Sequence, residues 1–188
     1  MIITLDYETE AIVNGSNTPP KPVGYALKLD NLPSEYVSWG HPSGNSHLWE
    51  EAHDYLNVAI HHEAAESVIF HNSKFDLSVM KAWFGFLPQC PVHDTMFLAF
   101  LLHPHDRSLA LKTLAEKYLN MPPEEQEDLR DWIVANVKKA TKAKWGAHIS
   151  KAPAALVGKY AIGDTDRTKG LFDLFYPEIL KDNDTVHA

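Results

Sequence analysis

The first ten residues, Met-Ile-Ile-Thr-Leu-Asp-Tyr-Glu-Thr-Glu, constrain this chain more than any other stretch. Ile2 to Leu5 is a short apolar run rich in β-branched residues, the pattern of a buried strand. It leads straight into Asp6 and Glu8. Alternate residues of a strand share a face, so the two carboxylates project together from the strand's end. Like charges this close repel unless a cation lies between them. Hard divalent cations prefer carboxylate oxygens and suit the position. The spacing also fits a strand end that runs into a solvated acidic turn. Only partners supplied from elsewhere in the chain can separate the two readings.

Residues 14–22 are rich in Gly, Ser, Asn and Pro and read as a loop. Strands follow over Pro22–Leu29 and Glu35–Trp39, joined by turn residues. Ser46 is placed to cap a helix starting near His47 and running to about Glu66. Ser67–Phe70 reads as a buried strand, and a helix covers Lys74–Phe84 with Gly85 as its stop. After a brief strand at Pro91–Val92, Asp94 caps an apolar helix over Thr95–Leu102. Helices are expected at Leu109–Leu119 and from Glu124 to about Val137. The lysine-rich stretch after them reads as a mobile loop. A long helix runs from Pro153 to near Leu180, limited by Pro177, and the last eight residues read as frayed. Three strands, then helices alternating with short strands, indicate an α/β fold with a mixed sheet and helices on both faces.

At 188 residues the chain is expected to form a single domain over residues 1–188, with a sizeable core. No apolar run approaches the ~20 residues that span a bilayer. No basic segment precedes an apolar one at the N-terminus, so neither membrane insertion nor secretion is expected. The single cysteine, Cys90, excludes an internal disulfide and fits a reducing compartment. These features point to a cytoplasmic monomer, in a bacterial or phage-infected host cytosol. The net charge of −8 argues against a broad phosphate-binding surface. It does not exclude a nucleic-acid enzyme whose acids hold metals, because bound cations reverse the local charge. Glu124, Glu125, Glu127, Asp128 and Asp131 make a solvated acidic helix face, whereas Lys138–Lys151 holds five lysines and no acid.

Two further elements bear on the opening pair. His71-Asn72-Ser73-Lys74-Phe75-Asp76 follows the Ser67–Phe70 strand directly, at the carboxyl edge where open α/β sheets bind ligands. Tyr160 and Asp164, four apart on a helix, share a face. Taken singly, Asp76 reads equally well as a helix N-terminal anion and the Tyr–Asp pair as a solvated one. Taken together, Asp6-x-Glu8, Asn72-x-x-Phe75-Asp76 and Tyr160-x-x-x-Asp164 resemble the DEDD superfamily of 3′→5′ exonucleases in its tyrosine-bearing branch. More narrowly the chain is similar to the proofreading domain of DNA polymerase I-like (family A) enzymes, including those of phages. Val92–Met96, Leu101-Leu102, Leu109–Ala115 and Tyr160–Asp166 extend the likeness over nearly the whole chain.

The resemblance implies a ribonuclease H-like mixed β-sheet flanked by α-helices. It implies two divalent metal ions, Mg²⁺ or Mn²⁺. Asp6, Glu8 and Asp164 would hold one, Asp6 would bridge to the second, and Asp76 would support that second ion through water. Tyr160 would orient the attacking water. A phenol with an ordinary pKa of about 10 positions a water better than it deprotonates one at neutral pH. The substrate would be the 3′ end of single-stranded or frayed DNA, and the product a nucleoside 5′-monophosphate. Thr9 and Asn72 would approach the terminal nucleotide, and Phe75 would wedge against its base or belong to the core. Lys144 and Trp145 would contact phosphate and base. A polymerase domain is expected as partner, in cis or in trans. The alternatives are a ribonuclease D-like RNA trimmer and a non-catalytic nucleic-acid-binding module. His93-Asp94 could also be the doublet of an HD-type phosphohydrolase, but the adjacent His61-His62 pair cannot supply the further ligands from one helix face.

Overall fold

The computed structural model describes residues 1–186, with side chains through Lys181. Five strands form one mixed sheet: β1 (Ile2–Thr9), β2 (Pro22–Leu29), β3 (Glu35–Ser38), β4 (Ser67–Phe70) and β5 (Val92–Asp94), in the spatial order β3-β2-β1-β4-β5. The pairs β1–β2 and β2–β3 are antiparallel, and β1–β4 and β4–β5 are parallel. The helices are α1 (Trp49–Ile60), α2 (Ser73–Val79), α3 (Thr95–Leu102), α4 (Leu111–Leu119), α5 (Glu124–Asn136) and α6 (Ala154–Val186). This is the α/β, ribonuclease H-like arrangement that the sequence predicts.

The period of β1 divides the molecule. Ile3, Leu5 and Tyr7 enter a core with Tyr25, Leu27, Val37, the buried side of α1 and the end of α2. On the opposite face, Ile69 packs with Leu98, Leu114, Leu171, Phe172 and Phe175 from α3, α4 and α6. Asp6 and Glu8, out of phase with the first core, are turned towards α6. A third cluster of Leu129, Ile133, Ala152 and Val157 joins α5 to α6 and takes in Tyr160 and Trp145. Among the described residues no helix is long and apolar enough to cross a membrane.

Several elements differ from expectation. β1 continues to Thr9, so Asp6 and Glu8 lie within the strand, opposite Ala26 and Gly24, rather than beyond its end. Helix α1 starts at Trp49, not His47. Glu51 accepts a hydrogen bond from the Leu48 N–H (2.8 Å), while Ser46 bonds across to the Ser38 N–H (3.1 Å). Helix α2 is α-helical only to Val79 and widens into a π-helical turn over Met80–Phe84. That turn closes at Gly85, whose φ of 78° favours glycine. The lysine-rich segment is not a simple loop: Trp145–Lys151 forms a 3₁₀ helix, anchored where Trp145 and Ile149 pack on the third cluster. Helix α6 passes through Pro177 and continues to Val186, held by Phe172, Phe175, Tyr176 and Ile179 on both sides of the exposed proline. Of the end expected to fray, 187–188 lie outside the described residues.

Candidate active site

The carboxyl end of β1 brings the predicted acids together. Glu8, Asp76 and Asp164 are buried, and Asp6 and Tyr160 are partly buried. Asp76 arrives in the first turn of α2, and its Oδ1 accepts the Tyr7 N–H at 3.2 Å. Tyr160 and Asp164 arrive on successive turns of α6. Gly24, opposite Glu8, lets the Tyr36 ring lie across the sheet, since a Cβ there would collide with the Tyr36 hydroxyl.

The electrostatics show that these groups sense one another. Burial, then the Asp164 charge, push the Asp6 carboxyl up to about 7 against the opposing pull of Lys112. Glu8 is raised well above the carboxylate range by burial and then by Asp6 and Asp164. Asp76 is raised by burial and then by Asp6. Burial, followed by Asp164, Glu8 and Asp6, holds the Tyr160 phenol well above its ordinary value, so it stays protonated.

Two cations that sequence reasoning did not single out complete the cluster. Lys112, on α4, places Nζ 2.6 Å from Asp164 Oδ2, 3.0 Å from the Tyr160 hydroxyl and 4.1 Å from the centre of its ring. Arg167, one turn past Asp164, is buried, with Nη1 3.4 Å from Asp164 Oδ1. Its other charged partner is Glu125, bonded by both terminal nitrogens, and it also donates to the Met121 and Pro122 carbonyls. Burial works to raise the Glu125 carboxyl, but the guanidinium more than reverses this and holds it low. Glu125 is therefore an inward-turned member of the run read as a solvated face. The local spacing offered no signal for it, because Arg167 at i+3 from Asp164 reads as paired within its own helix.

A cavity of about 360 Å³ opens beside Glu8, bounded by Thr9, Glu10, Phe75, Gly146 and Ile149 among others. Thus Thr9 and Phe75 do reach the cleft, and Phe75 also packs on the first core. Trp145 stands edge-on to Tyr160, with ring centroids 5.8 Å apart. Lys144 is exposed and makes no ion pair among the described residues. Asn72 is exposed in the left-handed region (φ 69°), and its backbone N–H donates to Asp94 Oδ1 at 3.0 Å. Asp94 also accepts from Ser73 (2.8 Å) and Met96 (2.9 Å), so it caps α2 as well as α3. His93 is packed against the rings of Phe172 and Tyr176. The His93-Asp94 doublet therefore serves the sheet edge and the helix caps. Asp166 is turned away from the cluster and binds Lys28 (3.0 Å) and Ser34 (2.6 Å).

The donor set fits a hard divalent cation, because it gathers carboxylates raised by burial and by one another, a repulsion that Lys112, Arg167 and the Tyr7 N–H relieve only in part. Among the described residues, no three His, Cys, Asp or Glu side chains are already drawn tightly enough to grip an ion. Asp164 is held by Lys112 and Arg167, and Asp76 by the Tyr7 N–H.

The sequence pattern of the 3′–5′ exonuclease family matches residues 45–180, which include Asp76, Tyr160 and Asp164 and leave Asp6 and Glu8 outside. The DNA polymerase of Escherichia phage T5 is 31% identical over 164 residues, covering 84% of this chain and 19% of that protein. The chain thus spans about a fifth of that relative. Among solved structures, NrnC of Brucella melitensis superposes with a TM-score of 0.63 at 18% identity, over 99% of this chain and 77% of that one. RNase D of Escherichia coli superposes with a TM-score of 0.59 at 21% identity, over 94% and 39%. With the family pattern matched over well over half its length, the chain belongs to the 3′–5′ exonuclease family.

Proposed function

We propose that this chain hydrolyses the terminal phosphodiester at the 3′ end of single-stranded or frayed DNA, releasing nucleoside 5′-monophosphates, and that it proofreads for a DNA polymerase. The observation that carries the reading is the convergence of Asp6, Glu8 and Asp76, all raised by burial and by neighbouring charge, on one point where Asp164 adds its own charge and Tyr160 stands beside them. Asp6, Glu8 and Asp164 would hold one Mg²⁺ or Mn²⁺ ion, and Asp6 and Asp76 a second. Bound there, such a pair of cations lowers the pKa of a water and stabilises both the entering and leaving oxygens of an in-line displacement.

The chain's own residues do the rest. The Tyr160 phenol, protonated throughout the working range, donates to or accepts from the attacking water and fixes its direction. Lys112 steadies that phenol and offers a positive charge next to the phosphate being cleaved. Thr9 and Phe75 line the cleft beside Glu8, where the terminal nucleotide would rest, with Phe75 against its base. Asn72 and the Lys144–Trp145 corner flank that nucleotide.

The preference for DNA rests on the sequence likeness to the T5 DNA polymerase. RNA trimming is the second reading, favoured by the structural likeness to RNase D and NrnC. The test is a parallel assay of 3′-labelled DNA and RNA oligonucleotides with Mg²⁺, Mn²⁺ and chelator. Stepwise, chelator-sensitive shortening of DNA, lost in the Asp6→Ala, Glu8→Ala double variant, supports the first reading. Faster shortening of RNA would establish the second, and retained activity in the double variant would refute the site.

A further inference from the structure

We infer a second nucleotide-binding site, for an upstream base of the strand, in the tryptophan-lined cavity across the sheet edge from the acids. The inference rests on the nucleic-acid reading above. The cavity holds about 450 Å³, within the range of small-ligand pockets, and is lined by Lys21, Pro22, Trp39, Trp49 and Trp83. Three of the chain's five tryptophans therefore meet at one opening.

All three are only partly buried. Trp39 and Trp49 brace one another, with centroids 5.1 Å apart, and Trp49 leans on Phe84 at 4.9 Å. Trp83 is fixed differently. Its indole N–H donates to the Pro19 carbonyl at 3.1 Å, and its ring has no aromatic partner among the described residues. The indole is thus held in place, packed in part on the first core, with its remaining surface lining the cavity.

Lys21 supplies the second requirement. It is exposed and forms no ion pair among the described residues, in a chain of net charge −8. A lysine at the lip of an aromatic pocket matches a nucleotide, which joins a flat base to an anionic phosphate. Continuity with the acidic cleft supplies the third. Pro22 pairs with Thr9, and the Glu10 N–H donates to the Lys21 carbonyl at 2.8 Å. Thr9 and Glu10 line the cleft beside Glu8, while Lys21 and Pro22 line the tryptophan cavity. The linings of the two cavities thus meet at one rung of the sheet, Thr9 opposite Pro22, which places Lys21 beside the cleft that would hold the strand's 3′ end.

The test measures binding in chelator, so that no cleavage intervenes. Tryptophan fluorescence and the anisotropy of 5′-labelled oligonucleotides are recorded for a dinucleotide and a decamer, in deoxy and ribo form. The decamer should quench tryptophan emission further than the dinucleotide, which reaches only Trp145, and Trp83→Leu should remove that excess. Lys21→Glu and Trp83→Leu should each weaken decamer binding roughly tenfold while leaving dinucleotide binding and hydrolysis unchanged. Circular dichroism establishes that both variants fold, and Lys21→Glu, a surface change, keeps the test open if Trp83→Leu does not. Wild-type decamer affinity in folded Lys21→Glu overturns the proposal. So does quenching by a proline-rich peptide without quenching by the decamer, which would make the pocket a peptide groove. If no substrate is hydrolysed with any metal, yet the decamer quenches in a Lys21-dependent manner, the exonuclease reading fails and this site stands.

Discussion

Lys112 Nζ lies 2.6 Å from Asp164 Oδ2, so an ammonium, with the Arg167 guanidinium at 3.4 Å from the other oxygen, neutralises a carboxylate that faces Asp6 and Glu8. The Lys112 and Asp164 side chains are 19% and 8% exposed, which places the pair in a medium far less screening than water.

Replacing Lys112 with Met should have two separable effects. Asp164 keeps only the longer contact to Arg167 at 3.4 Å, and the fold should lose about 1–3 kcal/mol in chelator. Tyr160 also loses its donor, so the rate should fall by roughly tenfold to a hundredfold. Because a cation arriving at Asp164 no longer competes with an ammonium, Mn²⁺ should raise the melting temperature of the variant more than that of wild type. Equal rises in both would show that Lys112 does not compete with metal.

Stability should depend on pH in the direction set by the raised carboxyls. Folded Asp6 keeps its proton up to about 7, and Glu8 and Asp76 are raised in the same sense. In the unfolded chain these groups release protons near pH 4. Between the two values the folded state binds more protons, so its stability falls as pH rises. Melting in chelator should therefore move to lower temperature from about pH 5 to pH 8, and Mn²⁺ should restore more at pH 8 than at pH 5. A melting temperature that climbs across this window in chelator would contradict the electrostatic picture.

The same repulsion makes function and stability oppose each other. Asp6→Asn with Glu8→Gln keeps the shapes and removes the charges. Activity should drop roughly a thousandfold or more, while the metal-free protein gains about 1–2 kcal/mol. Denaturant midpoints in chelator, read beside rates in Mn²⁺, test both halves at once. A double variant less stable than wild type would mean that the acids are satisfied by contacts rather than strained by charge.

Much of this was legible in the sequence because the relevant signals are periodic. The alternation in Ile2–Thr9 separates Ile3, Leu5 and Tyr7 from Asp6 and Glu8, and the four-residue spacing puts Tyr160 and Asp164 on one face. What was not legible depends on partners distant in the chain. Lys112 reads as an ordinary exposed helix lysine until α4 is laid against α6, 48 residues from Tyr160. Glu125 is hidden in an acidic run whose other members face solvent, and only Arg167 singles it out. The path of α6 through Pro177 is set by aromatic anchors on both sides of it, a tertiary effect that outweighs the local propensity of proline.

Asp94 is the remaining residue with a sharp consequence. Its carboxylate accepts three backbone N–H groups, from Asn72 and Ser73 at the start of α2 and from Met96 at the start of α3. One side chain thus fixes two helix entries and, through α2, the position of Asp76. Capping losses are about 0.5–2 kcal/mol each, so Asp94→Ala, which uncaps two helices, should cost about 1–4 kcal/mol in denaturant titration. Asp94→Asn, which keeps one carbonyl acceptor, should recover about half of that. Because the displaced element carries Asp76 and not Asp6 or Glu8, the loss of activity in Asp94→Ala should be partly reversed by raising the Mn²⁺ concentration. A rate that stays at the level of the Asp6→Asn, Glu8→Gln double variant at every Mn²⁺ concentration would make Asp94 a direct participant, as a phosphohydrolase doublet requires, rather than the cap its three N–H partners describe.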